Sequence, residues 1–206
     1  MKYHLPNITF IRHGMSIGNI SNMFDEDPSL TELGKKHLEE LSIQFASKLT
    51  QKQYVCVGYT PTKRSYDSAV IIRNAARLEH LPLVSMPDFR ERGWGKYNGK
   101  SFESFFNEKP WLQNDFKTYG NAAIWKDEGD KTGLESIIEM TARIQRGLDK
   151  VFAQYGTKPV LLIAHSGSIK IAMHLYRYGN TQHLTDTLLH TKTEYGQMYD
   201  MLDNGQ

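Results

Sequence analysis

Ile8-Thr9-Phe10-Ile11-Arg12-His13-Gly14 decides how this chain is read. Its first four residues are β-branched or aromatic and about as long as a strand buried on both faces, and the run stops at a cation, an imidazole and a glycine. A later stretch repeats the arrangement: Val160-Leu161-Leu162-Ile163-Ala164 is fully apolar, and His165-Ser166-Gly167-Ser168 follows at once. Short apolar strands of this kind belong to parallel sheets covered by helices on both faces. Helical periods alternate with the strands, which predicts an α/β fold: a three-layer α/β/α sandwich with a mostly parallel central sheet and right-handed crossovers. Ligands bind such sheets beyond the carboxyl ends of the strands. If the two strands run parallel, Arg12-His13 and His165 share one edge.

The intervening segments fill in the other layers. Ser29-Leu30-Thr31-Glu32 has capping-box spacing, and Leu33, His37, Leu38, Leu41, Phe45 and Leu49 then recur at helical steps. Tyr54 to Tyr59 reads as a strand, Thr60 as a helix cap and Pro61 as the first helical residue, with the helix running to about Leu78. From Glu103 to Gly133 the period is lost among Pro110, Gly120, Gly129 and scattered aromatics. This reads as a cap-like insertion, at about 100–133, in a single domain covering 1–206. Leu134, Ile138, Thr141, Ile144, Leu148 and Val151 restore a helix that Gly156 and Pro159 end. After the second histidine, a helix with Ile169, Ala172, Met173 and Tyr176 inward precedes a strand near Gln197 to Leu202.

Composition narrows the function classes. Of the 206 residues, 39% are hydrophobic and 23% charged, as in globular chains. Lysine plus arginine is 25 and aspartate plus glutamate 23, a net +2 that lacks the concentrated positive charge of duplex binding, so no nucleic-acid partner is expected. The single cysteine, Cys56, excludes an internal disulfide and a cysteine-based metal site, and it fits a reducing compartment. The apolar run 160–164 is far short of the roughly 20 residues a membrane helix needs, and Met1-Lys2-Tyr3-His4 lacks a signal peptide's apolar stretch. The expectation is a cytoplasmic protein with no membrane partner. His4, His37, His80, His174, His183 and His190 make no metal-ligand spacing and read as surface or core residues. Oligomeric state is left open.

Four segments carry candidate chemistry. Arg12-His13-Gly14 is a weak tripeptide alone, compatible with an ordinary strand-to-helix turn, but Ser16 and Asn19 add polar side chains to a turn whose N–H groups can cradle an anion. Arg64 lies in the first turn of the helix after Thr60-Pro61, where a guanidinium and helix N–H groups can act together on phosphate oxygens; a surface arginine is the plainer reading. Glu91, flanked by Arg90, Arg92, Gly93 and Gly95, reads equally as a solvated turn. His165 follows its strand directly.

Taken in order, these blocks resemble the histidine phosphatase superfamily, whose members include cofactor-dependent phosphoglycerate mutases and phosphomonoesterases. The resemblance rests on Arg12-His13-Gly14 with Ser16 and Asn19, Leu30-Thr31 with Gly34, Thr60-Pro61 with Arg64-Ser65 and Ser68-Ala69, Glu91 with Gly95 and Gly99, Glu135-Ser136 with Arg143, and His165-Ser166-Gly167. It departs at Ser166, where the family often has glycine, and at Leu134, which interrupts a usual Gly-Glu-Ser block. The resemblance implies that His13 is a nucleophile forming phosphohistidine. Arg12, Arg64, His165, Asn19, Ser16 and Ser166 then hold phosphate oxygens, with His165 protonated, and Glu91 is the proton donor and later the base, a role that burial favours. It implies no metal and no cofactor, and a small phosphorylated substrate.

Two further readings accompany this one. Glu91-Arg92-Gly93-Trp94-Gly95 looks like a mutase segment, but positions 100–133 contain no arginine to clamp a second anion, and the chain closes on Leu202-Asp203-Asn204-Gly205-Gln206 rather than a basic tail. The expected activity is therefore metal-independent phosphomonoester hydrolysis, with mutase as the alternative. A non-catalytic phosphate-binding or interaction module comes last, because His13, Arg12, Arg64, Glu91 and His165 are all present together. Trp111, Phe116, Tyr119 and Trp125 are candidates for a cap wall that selects an apolar or ring-bearing substrate.

Overall fold

The computed structural model describes residues 6–24, 27–129 and 133–201. The polar start, the tail from Leu202 and positions 130–132 of the insertion lie outside the described residues. Five strands form one sheet: β1 (Ile8–Arg12), β2 (Val57–Tyr59), β3 (Leu83–Ser85), β4 (Val160–Ala164) and β5 (Met198–Asp200). Their order is β3-β2-β4-β1-β5, with β5 antiparallel and every other pairing parallel. The expected α/β sandwich with a mostly parallel sheet is the fold observed.

The pleat explains the two apolar runs. Ile8, Phe10, Val160, Leu162 and Ala164 point into one core, while Ile11, Leu161 and Ile163 point into another. Helices α2 (Glu32–Gln51) and α3 (Lys63–Ala75) cover the second core. The first is covered by α6 (Ile137–Tyr155) and α7 (Ser166–Tyr178). Both faces of β1 and β4 are thus buried, and alternation with polar residues has no place there.

Several boundaries shift from those read in the sequence. The cap of α2 is Thr31, whose Oγ1 accepts the Gly34 N–H at 2.9 Å, not Ser29, and Leu33 on its first turn is 65% exposed. Gly34 is needed because a Cβ there would strike the Met15 carbonyl, so backbone packs on backbone at this crossing. Strand β2 holds only three residues rather than six. Thr62, not Thr60, precedes α3, which ends at Ala75 rather than near Leu78. Leu134 lies before α6 and bridges Trp94, Ser136 caps that helix with a reciprocal bond to Glu139, and Ile138 is exposed. Five elements have no clear periodic signal in the sequence: β3, α1 (Ile17–Ser21), α8 (Leu184–His190) and the paired short helices of the insertion, α4 (Phe102–Glu108) and α5 (Gln113–Tyr119).

The insertion packs onto the first core and extends it. Phe105, Phe106, Leu112, Ala123 and Ile124 are buried, and beneath them the Lys109 ammonium pairs with the Asp127 carboxylate at 2.6 Å with both side chains almost fully enclosed. No described helix is long and apolar enough to cross a membrane.

Candidate active site

Parallel pairing of β1 with β4 places Arg12 opposite Ala164, so the next residues along the two strands, His13 and His165, are neighbours. Their ring centroids are 4.9 Å apart at an interplanar angle of 61°. His13 Nδ1 lies 2.8 Å from the Gly14 carbonyl oxygen, which can only accept, so Nδ1 carries the proton and Nε2 keeps its lone pair. Arg64 Nε–H approaches that Nε2 at 3.4 Å. Burial first, then the charges of Arg64 and Arg12, push the His13 pKa well below the ordinary value, so the ring is neutral.

His165 occupies the complementary tautomer. Arg64 Nη2 donates to its Nδ1 at 3.3 Å, leaving Nε2–H to donate to Thr60 Oγ1 at 2.7 Å. Burial, then Arg64, His13 and Arg12, lower its pKa well below the ordinary value. Two guanidiniums beside a buried imidazole disfavour a third positive charge, so the protonated ring expected from the sequence needs an added negative charge beside it. Thr60 has exchanged its expected capping role for this bond.

Arg12 is braced rather than mobile. Its Nη1 donates to the Thr193 carbonyl at 2.6 Å and its guanidinium lies 3.9 Å over the Tyr195 ring, while its buried Nε–H meets no hydrogen-bond partner among the described residues. A buried donor without a partner is costly unless an anion completes it. Ser16 donates from both its backbone N–H and its hydroxyl to Asn19 Oδ1, at 3.0 and 2.7 Å, which fixes that carboxamide and leaves its NH2 end as a donor. Ser166 shares a 2.7 Å hydrogen bond with Thr193 Oγ1. Arg12, His13, Ser16, Asn19, Arg64, Glu91 and Ser166 all line one cavity of about 330 Å³, and His165 lies directly behind it.

Glu91 is set by backbone. Its Oε1 accepts the Arg92 N–H at 3.0 Å and its Oε2 the Gly167 N–H at 3.3 Å. The second bond requires glycine, since a Cβ at position 167 would come within 2.5 Å of Glu91 Oε1 and collide with Trp125. The loop carrying Glu91 is tied down by Glu135, which accepts from Arg143, Arg90 and the Gly93 N–H. Burial opposes ionisation of Glu135, but the bonds from Arg143 and Gly93 and the charges of Arg143 and Arg90 hold its carboxyl below the usual range. Arg92 spends its donors on the carbonyls of Glu135, Ile124 and Asp127. A second cavity of about 450 Å³ meets the first at Arg64, Glu91 and Trp94.

Lys170 joins the lining, and the sequence reading missed it. It stands one helical turn beyond Ser166, a spacing that puts both on one face of α7, and this is the signal that could have found it. Its Nζ donates to the Leu188 carbonyl at 3.0 Å, and burial draws its pKa down to about 8, opposed by Glu91 and aided by Arg12. Of the proposed cap-wall aromatics only Trp125 lines the cavity. Trp111 is 65% exposed, Phe116 packs on Phe106 and Tyr119 on His190. No three His, Cys, Asp or Glu side chains among the described residues are placed to hold a metal ion.

A doubly covered parallel sheet with paired histidines and arginines at its carboxyl edge defines the phosphoglycerate mutase-like class of α/β proteins. The chain belongs to the histidine phosphatase superfamily (branch 1), which it matches over residues 8–195 and whose members are phosphatases or mutases. It is 27% identical over 164 residues to the uncharacterized phosphatase PhoE of Bacillus subtilis, covering 79% of this chain and 72% of that protein. It is 25% identical to the bifunctional protein Rv2228c of Mycobacterium tuberculosis, covering 82% of this chain but only 43% of that protein. The structure of a phosphoglycerate mutase from Bacillus anthracis superposes with a TM-score of 0.74 at 16% identity, over 96% of this chain and 87% of that one, a likeness of fold.

Proposed function

We propose that the protein is a metal-independent phosphomonoesterase that works through a phosphohistidine on His13. The observation that carries this reading is the His13 tautomer: a neutral ring, with the lone pair on Nε2, in a residue that lines the same cavity as Arg12 and Arg64. In the first step Nε2 forms a bond to phosphorus as the ester P–O bond breaks, and Glu91 passes a proton to the departing oxygen. In the second, Glu91 takes a proton from water, the water oxygen bonds to phosphorus, the P–N bond breaks and inorganic phosphate leaves. Arg12, Arg64, Asn19 and Ser166 hold the equatorial oxygens, and Ser16 keeps Asn19 in place. The bound dianion supplies the negative charge that favours a protonated His165, whose Nδ1 then exchanges the Arg64 N–H for a bond donated to phosphate.

Relatedness to a protein named a phosphatase supports hydrolysis over mutase chemistry. So does the disposition of the arginines. Arg92, in the segment that suggested a mutase, is buried and committed to three carbonyls, and Arg90 is paired with Glu135. Residues 100–133 act in this reading as a cap on one domain, and the buried Cys56 fits a cytoplasmic location.

The test is a phosphorus NMR time course with EDTA, several phosphomonoesters, 3-phosphoglycerate and a trace of 2,3-bisphosphoglycerate. Inorganic phosphate is expected to grow. Formation of 2-phosphoglycerate without net phosphate would make the protein a mutase, and activity lost to chelator and restored by zinc or magnesium would overturn the metal-free mechanism. His13→Ala is expected to abolish both turnover and covalent phosphate uptake.

A further inference from the structure

The cavity divides by chemistry. Its cations come from strand ends and the helices that follow them: Arg12, Arg64 and Lys170. Residues 22–24 and 94–125 contribute much of the remaining lining, and there Met23, Phe24, Trp94, Phe102, Ile124 and Trp125 present carbon and ring surface with no charge. The polar groups among them are two neutral carboxamides, Asn22 and Asn121, 3.5 Å apart.

This surface is built in advance. Backbone bonds stitch its two segments together, from Phe24 N–H to the Lys100 carbonyl at 2.8 Å and from Phe102 N–H to the Asn22 carbonyl at 3.0 Å. Phe24 contacts Phe102 at 4.4 Å and Trp94 at 4.7 Å between centroids, so the rings brace one another and little freedom is lost when a ligand packs on them. A carboxylate or second phosphate placed here would lose water and meet no cation on the wall itself, since Arg92, about 6 Å from the Trp94 and Trp125 ring centroids, has its guanidinium committed to the carbonyls of Glu135, Ile124 and Asp127.

We infer that the leaving group selected by this site is an uncharged, ring-bearing alcohol or phenol, and that Trp94, Phe102 and Trp125 set the preference. The inference rests on the phosphatase reading and names its substrate class. It replaces the wall expected from the sequence, of which only Trp125 survives.

The test compares kcat/KM for benzyl phosphate, glycerol 3-phosphate and 3-phosphoglycerate, three alkyl esters that make similar demands on proton delivery to the leaving oxygen. Benzyl phosphate is expected to lead by about tenfold or more. Phe102→Leu should narrow the ratio of benzyl to glycerol ester, and Ala122→Arg, which adds a cation to the same wall, should raise 3-phosphoglycerate relative to benzyl phosphate. Equal kcat/KM for all three esters, or a ratio indifferent to both substitutions, overturns the ring preference and leaves the phosphatase standing. No phosphate released from any ester, with no label on His13, overturns both.

Discussion

At the scale of single residues, the chemistry comes from what each ring nitrogen can bond to. Gly14 offers His13 only a carbonyl, and Arg64 offers His165 only N–H groups, so neighbouring imidazoles settle in opposite tautomers and the one facing the cavity keeps a lone pair on Nε2. Types and positions of these residues were legible in the sequence; their protonation was not, because it depends on burial and on the Arg64 guanidinium, which arrives from helix α3. Glu91 is tested by the leaving group. Glu91→Gln should slow benzyl phosphate by roughly a hundredfold or more, because a poor leaving group needs the proton. It should slow p-nitrophenyl phosphate much less, and equal losses on the two esters would remove Glu91 from the acid role.

At the scale of elements, two knots hold the site. Glu135, one residue before the cap of α6, gathers Arg90, Arg143 and the Gly93 N–H and so fixes the loop that carries Glu91. The Glu135-Ser136 pair was readable as a motif, yet its use as an anchor was not, because two of its partners, Arg90 and Gly93, lie more than forty positions away. The second knot is Lys109–Asp127, which staples the insertion. Removing one partner strands a buried charge, so Lys109→Met is expected to destabilise the fold by about 3 kcal/mol, read from the urea midpoint at constant slope. The double change Lys109→Met with Asp127→Leu should recover much of that loss. The insertion was unreadable as helices because α4 and α5 have seven residues each, too few turns for a period to emerge.

For the whole molecule, the neutral histidine pair ties stability to pH. Both pKa values are depressed from 6.5, so between that value and the folded-state values the unfolded chain binds more protons. Their contribution is complete above about 6.5 and is lost as pH falls toward the folded values. Urea unfolding in phosphate-free buffer should show stability dropping by roughly 1 to 2 kcal/mol per pH unit below 6.5, and His165→Asn should flatten the slope. A flat wild-type profile from pH 7.5 to 5.5 would contradict the neutral pair. The sequence by itself determined the sandwich and the line-up of His13, Arg12, Arg64, Glu91 and His165, because strand burial, helical period and a motif at each strand end are local properties of consecutive residues. The tertiary structure alone decided the hydrogen-bond partners of His165, the recruitment of Lys170 and the makeup of the aromatic wall. Each of these depends on which distant side chains share a low-dielectric space, and Trp94, Phe24 and Phe102 become neighbours only when β1, the loop after β3 and the insertion are brought together.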